Sequence, residues 1–117
     1  MNIGIQSLSL QALSNALDIA QLRQQVIASN IANANTPGYA TKRVSFSATI
    51  EALRDGGSAA APAHVETLVD GSGQPVPVQL DREVAEMAQN GVHFQALIKG
   101  VSRELSILAS AVSEGKR

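Results

Sequence analysis

Three residues that could carry out chemistry stand at close spacing, and they are Glu83, Glu86 and His93. Carboxylates and an imidazole on one helix flank are typical ligands of a di-metal carboxylate site, which requires Glu-x-x-His pairs. Glu86 and His93 are instead seven positions apart, so the sequence contains no such pair. A solvated helix flank is therefore the favoured interpretation of these residues.

The remaining nucleophile and base candidates are isolated. His64 is expected in a loop, without the Ser and Asp arrangement of a catalytic triad. The sequence contains no cysteine, which removes disulfides and thiolate metal ligands. The sequence thus predicts a protein that is not an enzyme, with no catalytic, cofactor-binding or metal-binding residues and no small-molecule substrate.

The net charge and the hydropathy of the sequence limit the kinds of partner that the protein is expected to bind. The net charge is −1 and the pI is near 6.1, so no basic excess is present to neutralise nucleic-acid phosphates. Lys42 and Arg43 are expected in a solvated turn, because membrane attachment needs a larger basic cluster. No run of 18 apolar residues is present. The first basic residue is Arg23, so the basic segment of a cleavable secretory signal is missing.

The elements that would position these residues begin with a helix predicted over residues 7–34. Its spacing predicts two apolar stripes. Only Asp18 and Arg23 are charged between Met1 and Thr41, which fits either a buried helix of a small bundle or a helix that needs partners on two sides. The first stripe comprises Leu10, Leu13, Leu17, Ala20, Gln24, Ile27, Ile31 and Ala34, and the second comprises Ile5, Leu8, Ala12, Ile19, Leu22 and Val26, with Asn15 filling its missing place.

A second helix is predicted over residues 80–112, followed by a tail at 113–117. Asp81 is expected to cap it, and Asp81 and Glu83 suit the positive end of the helix dipole. Gly91 suggests close backbone approach or a bend. The heptad stripe of this helix, with alternating spacings of four and three, is Leu80, Val84, Met87, Gly91, Phe94, Ile98, Val101, Leu105, Leu108 and Val112.

Residues 35–79, between the two predicted helices, differ from them in composition and pattern. Residues 56–63 contain only Gly, Ser, Ala and Pro and are expected to form a loop. Residues 64–69 and 76–80 predict a β-hairpin or two short strands, and residues 42–53 fit a helix slightly better than a strand. The predicted fold is mainly α: one domain, 1–117, with two long antiparallel terminal helices in a coiled-coil hairpin and a small irregular or β middle segment.

The stretch Ala28-Ser-Asn-Ile-Ala-Asn-Ala-Asn-Thr-Pro-Gly-Tyr39 is the most informative part of the sequence. Its asparagines are poor helix formers that bond local backbone, and Thr36-Pro37-Gly38-Tyr39 predicts a type II turn. An ordinary helix end explains the proline and glycine but not three closely spaced asparagines. The notable positions are Asn30, Ile31, Asn33, Asn35, Thr36, Pro37, Gly38 and Tyr39.

This stretch resembles the signature of the bacterial flagellar rod and hook proteins. The resemblance implies that the signature closes an N-terminal helix that pairs with the C-terminal helix. The segment Val78-Gln-Leu80-Asp81-Arg-Glu83-Val is similar to the Val-x-Leu-Asp-x-Glu pattern of a proximal rod protein, whereas the C-type sibling tends to carry Asp-Pro there. Residues 91–95, Gly-Val-His-Phe-Gln, depart from the basic and tyrosine pair more usual in the family.

The resemblance implies a structural subunit of the proximal rod of the basal body, polymerising through its heptad-patterned helices. Implied partners are other copies, other rod subunits, the rod–inner-ring adaptor protein, the inner-membrane ring and the flagellar export gate. The implied location is the periplasmic side of the cell envelope, reached by type III export without a cleavable signal. Alternatives are a C-type rod subunit and, less favoured, a free-standing helical adaptor or secreted effector.

Overall fold

Two long helices dominate the computed structural model, which describes residues 3–45 and 63–115. Helix α1 is Ile3–Ala32 and helix α2 is Leu80–Gly115. Between them lie strands β1, Lys42–Ser45, and β2, His64–Thr67. The predicted mainly α fold with a small β segment is confirmed. Helix α1 starts and ends earlier than the predicted 7–34, and α2 extends past the predicted end at 112.

The helices run antiparallel along most of their length. Asn30 of α1 bonds Glu83 of α2, and Asn90 of α2 bonds the carbonyl oxygen of Ala20. Further along, Gly100 of α2 lies against the side chain of Leu13. The amino end of α1 and the carboxyl end of α2 therefore meet at the end of the molecule away from the strands.

The first predicted stripe of α1 faces α2. Ala20 and Ile27 are each 1% exposed, and the other members of that stripe are half-buried. The second stripe changes along the helix: Val26 is buried near the strands, whereas Leu8 is 70% exposed. Leu22 and Ile19, which lie between them, are half-buried. Helix α1 thus presents one covered stripe and a second stripe that a single chain covers only at one end.

The structure splits the predicted stripe of α2 in two. One half faces α1 and is half-buried, namely Met87, Phe94, Val101 and Leu108. The other half is exposed, because the positions that complete the inward face are Glu83, Asn90, Leu97, Glu104 and Ala111. Exposed members of the predicted stripe are Leu80, Val84, Ile98, Leu105 and Val112. The sequence predicts a solvated flank for Glu83, because polar residues usually face solvent, whereas the structure buries this side chain.

Close approach of the helices occurs at Gly100 and not at Gly91. A Cβ atom at Gly100 would lie 3.2 Å from Leu13 Cδ2, whereas a Cβ atom at Gly91 would meet no atom within 4 Å. Gly91 lies among the exposed apolar residues of α2. Among the described residues, Gly91 therefore does not mark a close approach, and the alternative of a local bend stays a prediction.

The strands pair differently from the predicted hairpin. Strand β1 pairs antiparallel with β2, with Lys42 opposite Thr67 and Ser45 opposite His64. The preference for a helix over 42–53 is wrong for residues 42–45, and residues 46–53 lie outside the described part, as do 56–62 of the predicted loop. In the segment 76–80, Val76 bonds Leu68 and Thr41 through its backbone, and a single bridge joins Val69 to Pro75.

Within the described residues, neither helix combines the length and the apolar character that crossing a membrane requires.

Candidate functional site: the polar junction and the exposed ridge

The chain reverses direction after α1 through a turn that requires glycine. Gly38 has φ of +78°, a backbone conformation that side chains with a Cβ atom rarely adopt. The N–H of Tyr39 donates to the carbonyl oxygen of Thr36 at 3.2 Å. This hydrogen bond and the positive φ agree with the type II turn predicted from Thr36-Pro37-Gly38-Tyr39. The turn sends the chain back along α1 into β1.

Asn30 connects four parts of the molecule and is fully buried. Its Nδ2 donates to the carbonyl oxygen of Lys42 at 2.9 Å and to Glu83 Oε2 at 3.0 Å. Its Oδ1 accepts the backbone N–H of Lys42 at 3.0 Å and the hydroxyl of Tyr39 at 3.3 Å. All the hydrogen-bonding capacity of this amide is used, so its burial carries no penalty for an unpaired group.

Glu83 is the matching buried group on α2, at 0% exposure. Its Oε1 accepts from Arg43 Nη2 at 2.6 Å, while Oε2 accepts from Asn30. A buried carboxylate needs a charged partner and hydrogen bonds, and Glu83 has both. Glu86, half-buried one turn later, lies 3.6 Å from the same Arg43 nitrogen. We call Asn30, Tyr39, Arg43 and Glu83 the polar junction.

The other signature residues close the end of α1 around the polar junction. Asn33 Nδ2 donates to the carbonyl oxygen of Ser29 at 2.8 Å, and its Oδ1 accepts the hydroxyl of Thr36. Ile31 is half-buried, whereas Asn35 and Pro37 are exposed. The three asparagines therefore differ in role: Asn30 joins elements, Asn33 ends the helix, and Asn35 lies at the surface of the turn.

At the polar junction, the structure contradicts the roles that the sequence predicted for three residues. Helix α2 begins at Leu80, so Asp81 lies in its first turn with Glu83 and is not the cap. Glu83 is buried and ion-paired instead of lining a solvated flank. Arg43 is not in a solvated turn, because it lies in β1 with its side chain 22% exposed. No sequence signal reveals this pairing, since the partners are separated by 40 and 53 positions.

A second polar contact between the helices lies further along α2, at Asn90. Asn90 is 4% exposed, and its Nδ2 donates to the carbonyl oxygen of Ala20 at 2.9 Å and to Gln24 Oε1 at 2.8 Å. Gln24 is the residue that interrupts the apolar stripe of α1. The polar interruption in one helix therefore matches a buried amide in the other, which fixes the register of the pair.

The exposed half of the α2 stripe forms a line on the outside of the helix pair. Val84, Ile98, Leu105 and Val112 are between 44% and 60% exposed, and together with the half-buried Gly91 they recur every seventh residue. Such spacing places side chains in one line along a helix, as at a coiled-coil interface. We call Val84, Ile98, Leu105 and Val112, with Gly91 in the second place, the α2 ridge.

The arrangement suits holding and assembling elements better than chemistry. Glu83, the most buried acid among the residues whose burial is described, is occupied by Arg43 and Asn30. Among residues 3–45 and 63–115, no group of His, Asp and Glu side chains is arranged to hold a metal ion. The polar junction thus joins the signature turn to α2, and the α2 ridge is exposed to solvent in the part of the chain that the structure describes.

A helix closed by this signature, paired with a long C-terminal helix, defines the class of flagellar rod proteins. Residues 10–39, comprising most of α1 and the turn, match the family described as flagella basal body rod protein. The chain is 32% identical to the flagellar basal body rod protein FlgB of Bacillus subtilis, over 92% of this chain and 95% of that protein.

Two further relatives agree. FlgB of Escherichia coli K12 is 24% identical, over 92% of this chain and 94% of that protein. FlgB of Borrelia hermsii is 41% identical over 42% of this chain and 36% of its own length. The chain belongs to the FlgB family of flagellar basal body rod proteins, and this is a family of structural proteins.

Proposed function

We propose that this chain, a structural subunit of the proximal rod of the flagellar basal body, polymerises through apolar faces that its own helix pair leaves uncovered. The single observation that carries this proposal is the α2 ridge. A helix pair that hid its whole apolar surface would have no such line of side chains. Large exposed apolar faces on soluble proteins mark interaction sites.

A second uncovered face lies on α1, at the end distant from the polar junction. Leu8 and Ala12 are exposed there and belong to the second stripe of α1. The two faces belong to different helices, so contact between the α2 ridge of one copy and the α1 face of the next is heterologous. Repetition of a heterologous contact builds a helical array and not a closed dimer. This geometry suits a rod.

The predicted packing residues divide between two proposed roles. Those that face inward hold the two helices together, and those on the α2 ridge contact neighbouring subunits. The inward group is Leu10, Leu13, Leu17, Ile27, Ile31, Met87, Phe94, Val101 and Leu108, with Ile19, Leu22 and Val26 covering the flank of α1. We assign the whole chain, residues 1–117, to one axial domain whose signature turn sets the angle between the helices and the strands.

The proposed surroundings follow from membership of the rod family. The partners are further copies, other rod subunits, the rod–inner-ring adaptor protein, the inner-membrane ring and the flagellar export gate. The proposed location is the periplasmic side of the envelope, reached through the type III apparatus. The proposed role is structural, without catalysis. The FlgB name shared by the relatives described above favours this assignment over a C-type rod subunit or a free-standing adaptor.

Replacement of ridge residues by aspartate tests polymerisation. Ile98→Asp and Leu105→Asp place a charge on the α2 ridge without removing an inward contact, so each isolated chain should keep its helix content. Strains carrying either variant should lose motility and should lose the cross-links between a cysteine at position 112 and neighbouring rod subunits. Circular dichroism and immunoblotting check folding and expression.

Ser106→Asp is the matched control. Ser106 is exposed, follows Leu105 directly and points about 100° away from it around the helix. This variant should retain motility. Normal motility of Leu105→Asp, or equal loss from Ser106→Asp, would contradict a role for the α2 ridge in assembly.

A further inference from the structure

Gly91 interrupts the α2 ridge with a position that has no side chain. It lies in the interior of α2, half-buried, between the exposed Val84 and Ile98. At 1.5 Å per residue, these two residues are about 21 Å apart along the helix axis. The missing side chain at Gly91 therefore leaves a notch in the α2 ridge.

No feature of the described part of the chain requires a glycine at the notch. A Cβ atom at Gly91 would meet no atom within 4 Å, and the described glycines with positive φ are Gly38 and Gly73. Gly91 thus uses neither the extra space nor the backbone freedom that a glycine offers. Glycine in a helix interior is destabilising relative to other residues. A glycine at this position is accounted for if a contact outside the chain needs the space.

The residues around the notch are mostly apolar. On a helix surface, the neighbours of residue 91 are those three and four positions away. They are Met87, Ala88, Phe94 and Gln95, of which Ala88 and Gln95 are exposed and the other two are half-buried. A side chain of a facing helix can enter among such residues, as a knob enters a hole in a coiled coil. The notch thus suits an apolar side chain and a close approach of two helices.

Helix α1 has the exposed face that matches these surroundings. Among the exposed residues of α1 from 8 to 32, Asp18 alone is charged, and Leu8 on the second stripe is 70% exposed. On α2, Lys99 is the single residue with a formal charge between Met87 and Ser102. Two faces with so little charge can meet without burying unpaired ions. The exposed face of α1 therefore complements the notch in both polarity and charge.

We propose that Gly91 is the position where α1 of a second copy packs most closely against α2, with an apolar side chain of the second stripe of α1 inside the notch. This inference rests on the polymerisation proposed above. It adds the partner helix and the residue that sets the distance between neighbouring subunits. In an array of copies with one polarity, α1 of one copy runs antiparallel to α2 of the next, as the two helices do within the chain.

Gly91→Gln tests the notch by filling it without adding apolar surface. In the isolated full chain it should raise the melting temperature by about 2–6 °C, because glutamine has the higher helix propensity. In cells it should abolish motility and the rod cross-links formed after Val112→Cys. A lower melting temperature would show that the glycine serves the fold of the single chain, through a bend or an internal contact, and would overturn the proposal. Normal motility of Gly91→Gln would overturn it as well.

Ala96→Gln is the matched control, since Ala96 is exposed on α2 and points about 140° away from Gly91 around the helix. It should retain motility and cross-links, and an equal loss in this variant would count against the notch. The two proposals fail in different ways. Motility of Leu105→Asp would reject the α2 ridge as a whole. Loss of motility in Leu105→Asp together with normal motility of Gly91→Gln would reject the notch alone.

Single-cysteine variants identify the occupant, because the chain contains no cysteine of its own. Val92→Cys, beside the notch, is coexpressed with Leu8→Cys, Ala12→Cys or Asn15→Cys, which lie along the second stripe of α1. Mass spectrometry of oxidised basal bodies should find a disulfide between position 92 of one copy and at least one of these α1 positions of another. A disulfide that joins position 92 to position 92, or intact rods without any disulfide to α1, would overturn α1 of a second copy as the occupant.

Discussion

The side-chain amide of Asn30 donates a 3.0 Å hydrogen bond to the carboxylate of Glu83, and both side chains are fully buried. Asn30 belongs to the signature at the end of α1, and Glu83 belongs to the first turn of α2. This contact joins the two most recognisable segments of the sequence. The signature is therefore a docking element for α2 as well as the end of a helix.

Glu83→Gln should destabilise the isolated chain by about 1–3 kcal/mol, because Arg43 loses its main charged partner in a buried position. Chemical denaturation followed by circular dichroism gives the free energy of unfolding. Glu86→Gln is the comparison, since Glu86 is half-buried and its pair with Arg43 is longer, at 3.6 Å. It should cost less than about 1 kcal/mol. Equal denaturation midpoints for the wild type and Glu83→Gln would contradict a contribution of the polar junction to stability.

Asn30→Ala should be at least as damaging as Glu83→Gln, because it leaves the backbone N–H of Lys42 without its acceptor and removes one contact each from the Lys42 carbonyl oxygen and from Glu83. A double-mutant cycle of Asn30→Ala and Glu83→Gln should show coupling of about 0.5–3 kcal/mol, as residues of one hydrogen-bonded network do. Additive effects of the two changes would indicate that the two side chains act independently.

Gly38→Ala should lower the free energy of unfolding by about 1 kcal/mol or more, because φ of +78° is strained for any residue with a Cβ atom. Gly71→Ala provides the contrast. Gly71 lacks a positive φ, and a Cβ atom there would meet nothing within 4 Å. Its replacement should be neutral or slightly stabilising. Thermal unfolding of both variants measures the difference, and indistinguishable melting temperatures would argue against the type II turn.

The two glycines of α2 should respond in opposite directions. Gly91→Ala should stabilise the isolated chain by about 0.5–1 kcal/mol through helix propensity, since nothing lies near its Cβ position. Gly100→Val should destabilise it, because the added atoms meet Leu13, which is already 3.2 Å from the Cβ position. Denaturant midpoints compare the pair, and destabilisation by Gly91→Ala would show that a close contact at Gly91 had been overlooked.

The turn after β2 should contribute stability that depends on pH. Hydrogen bonds from the Ser72 hydroxyl and from the backbone N–H groups of Gln74 and Ser72 lower the pKa of Asp70 below its ordinary value. A lowered pKa in the folded state means that the contribution is present at neutral pH and is lost as pH falls through that pKa. Carbon-detected NMR titration should place Asp70 below its ordinary pKa, and Ser72→Ala should raise it. An unchanged pKa in Ser72→Ala would contradict this cause.

The fold was largely predictable, because apolar spacing identifies long helices and the Thr-Pro-Gly turn is a local signal. The inward face of α2 was not predictable in this way, since Glu83 and Asn90 are buried by partners far away in sequence. Leu97 lies on that inward face, and the pattern through Leu105 and Ile98 concealed its role. Strand pairing of residues 42–45 with 64–67 is likewise set by tertiary contacts and not by local propensity.

The antiparallel pairing of α1 and α2 places both helix ends that lead to the chain termini at the pole opposite Asn30 and Glu83. A pull on either terminus therefore peels the helices apart one turn at a time, and it meets the ion pair of Arg43 and Glu83 only at the last step. Threading through a narrow channel from a terminus would accordingly face weak resistance for most of the length. During assembly the order would be reversed, so that the helices of an arriving subunit would pair first at the polar junction and then towards the termini.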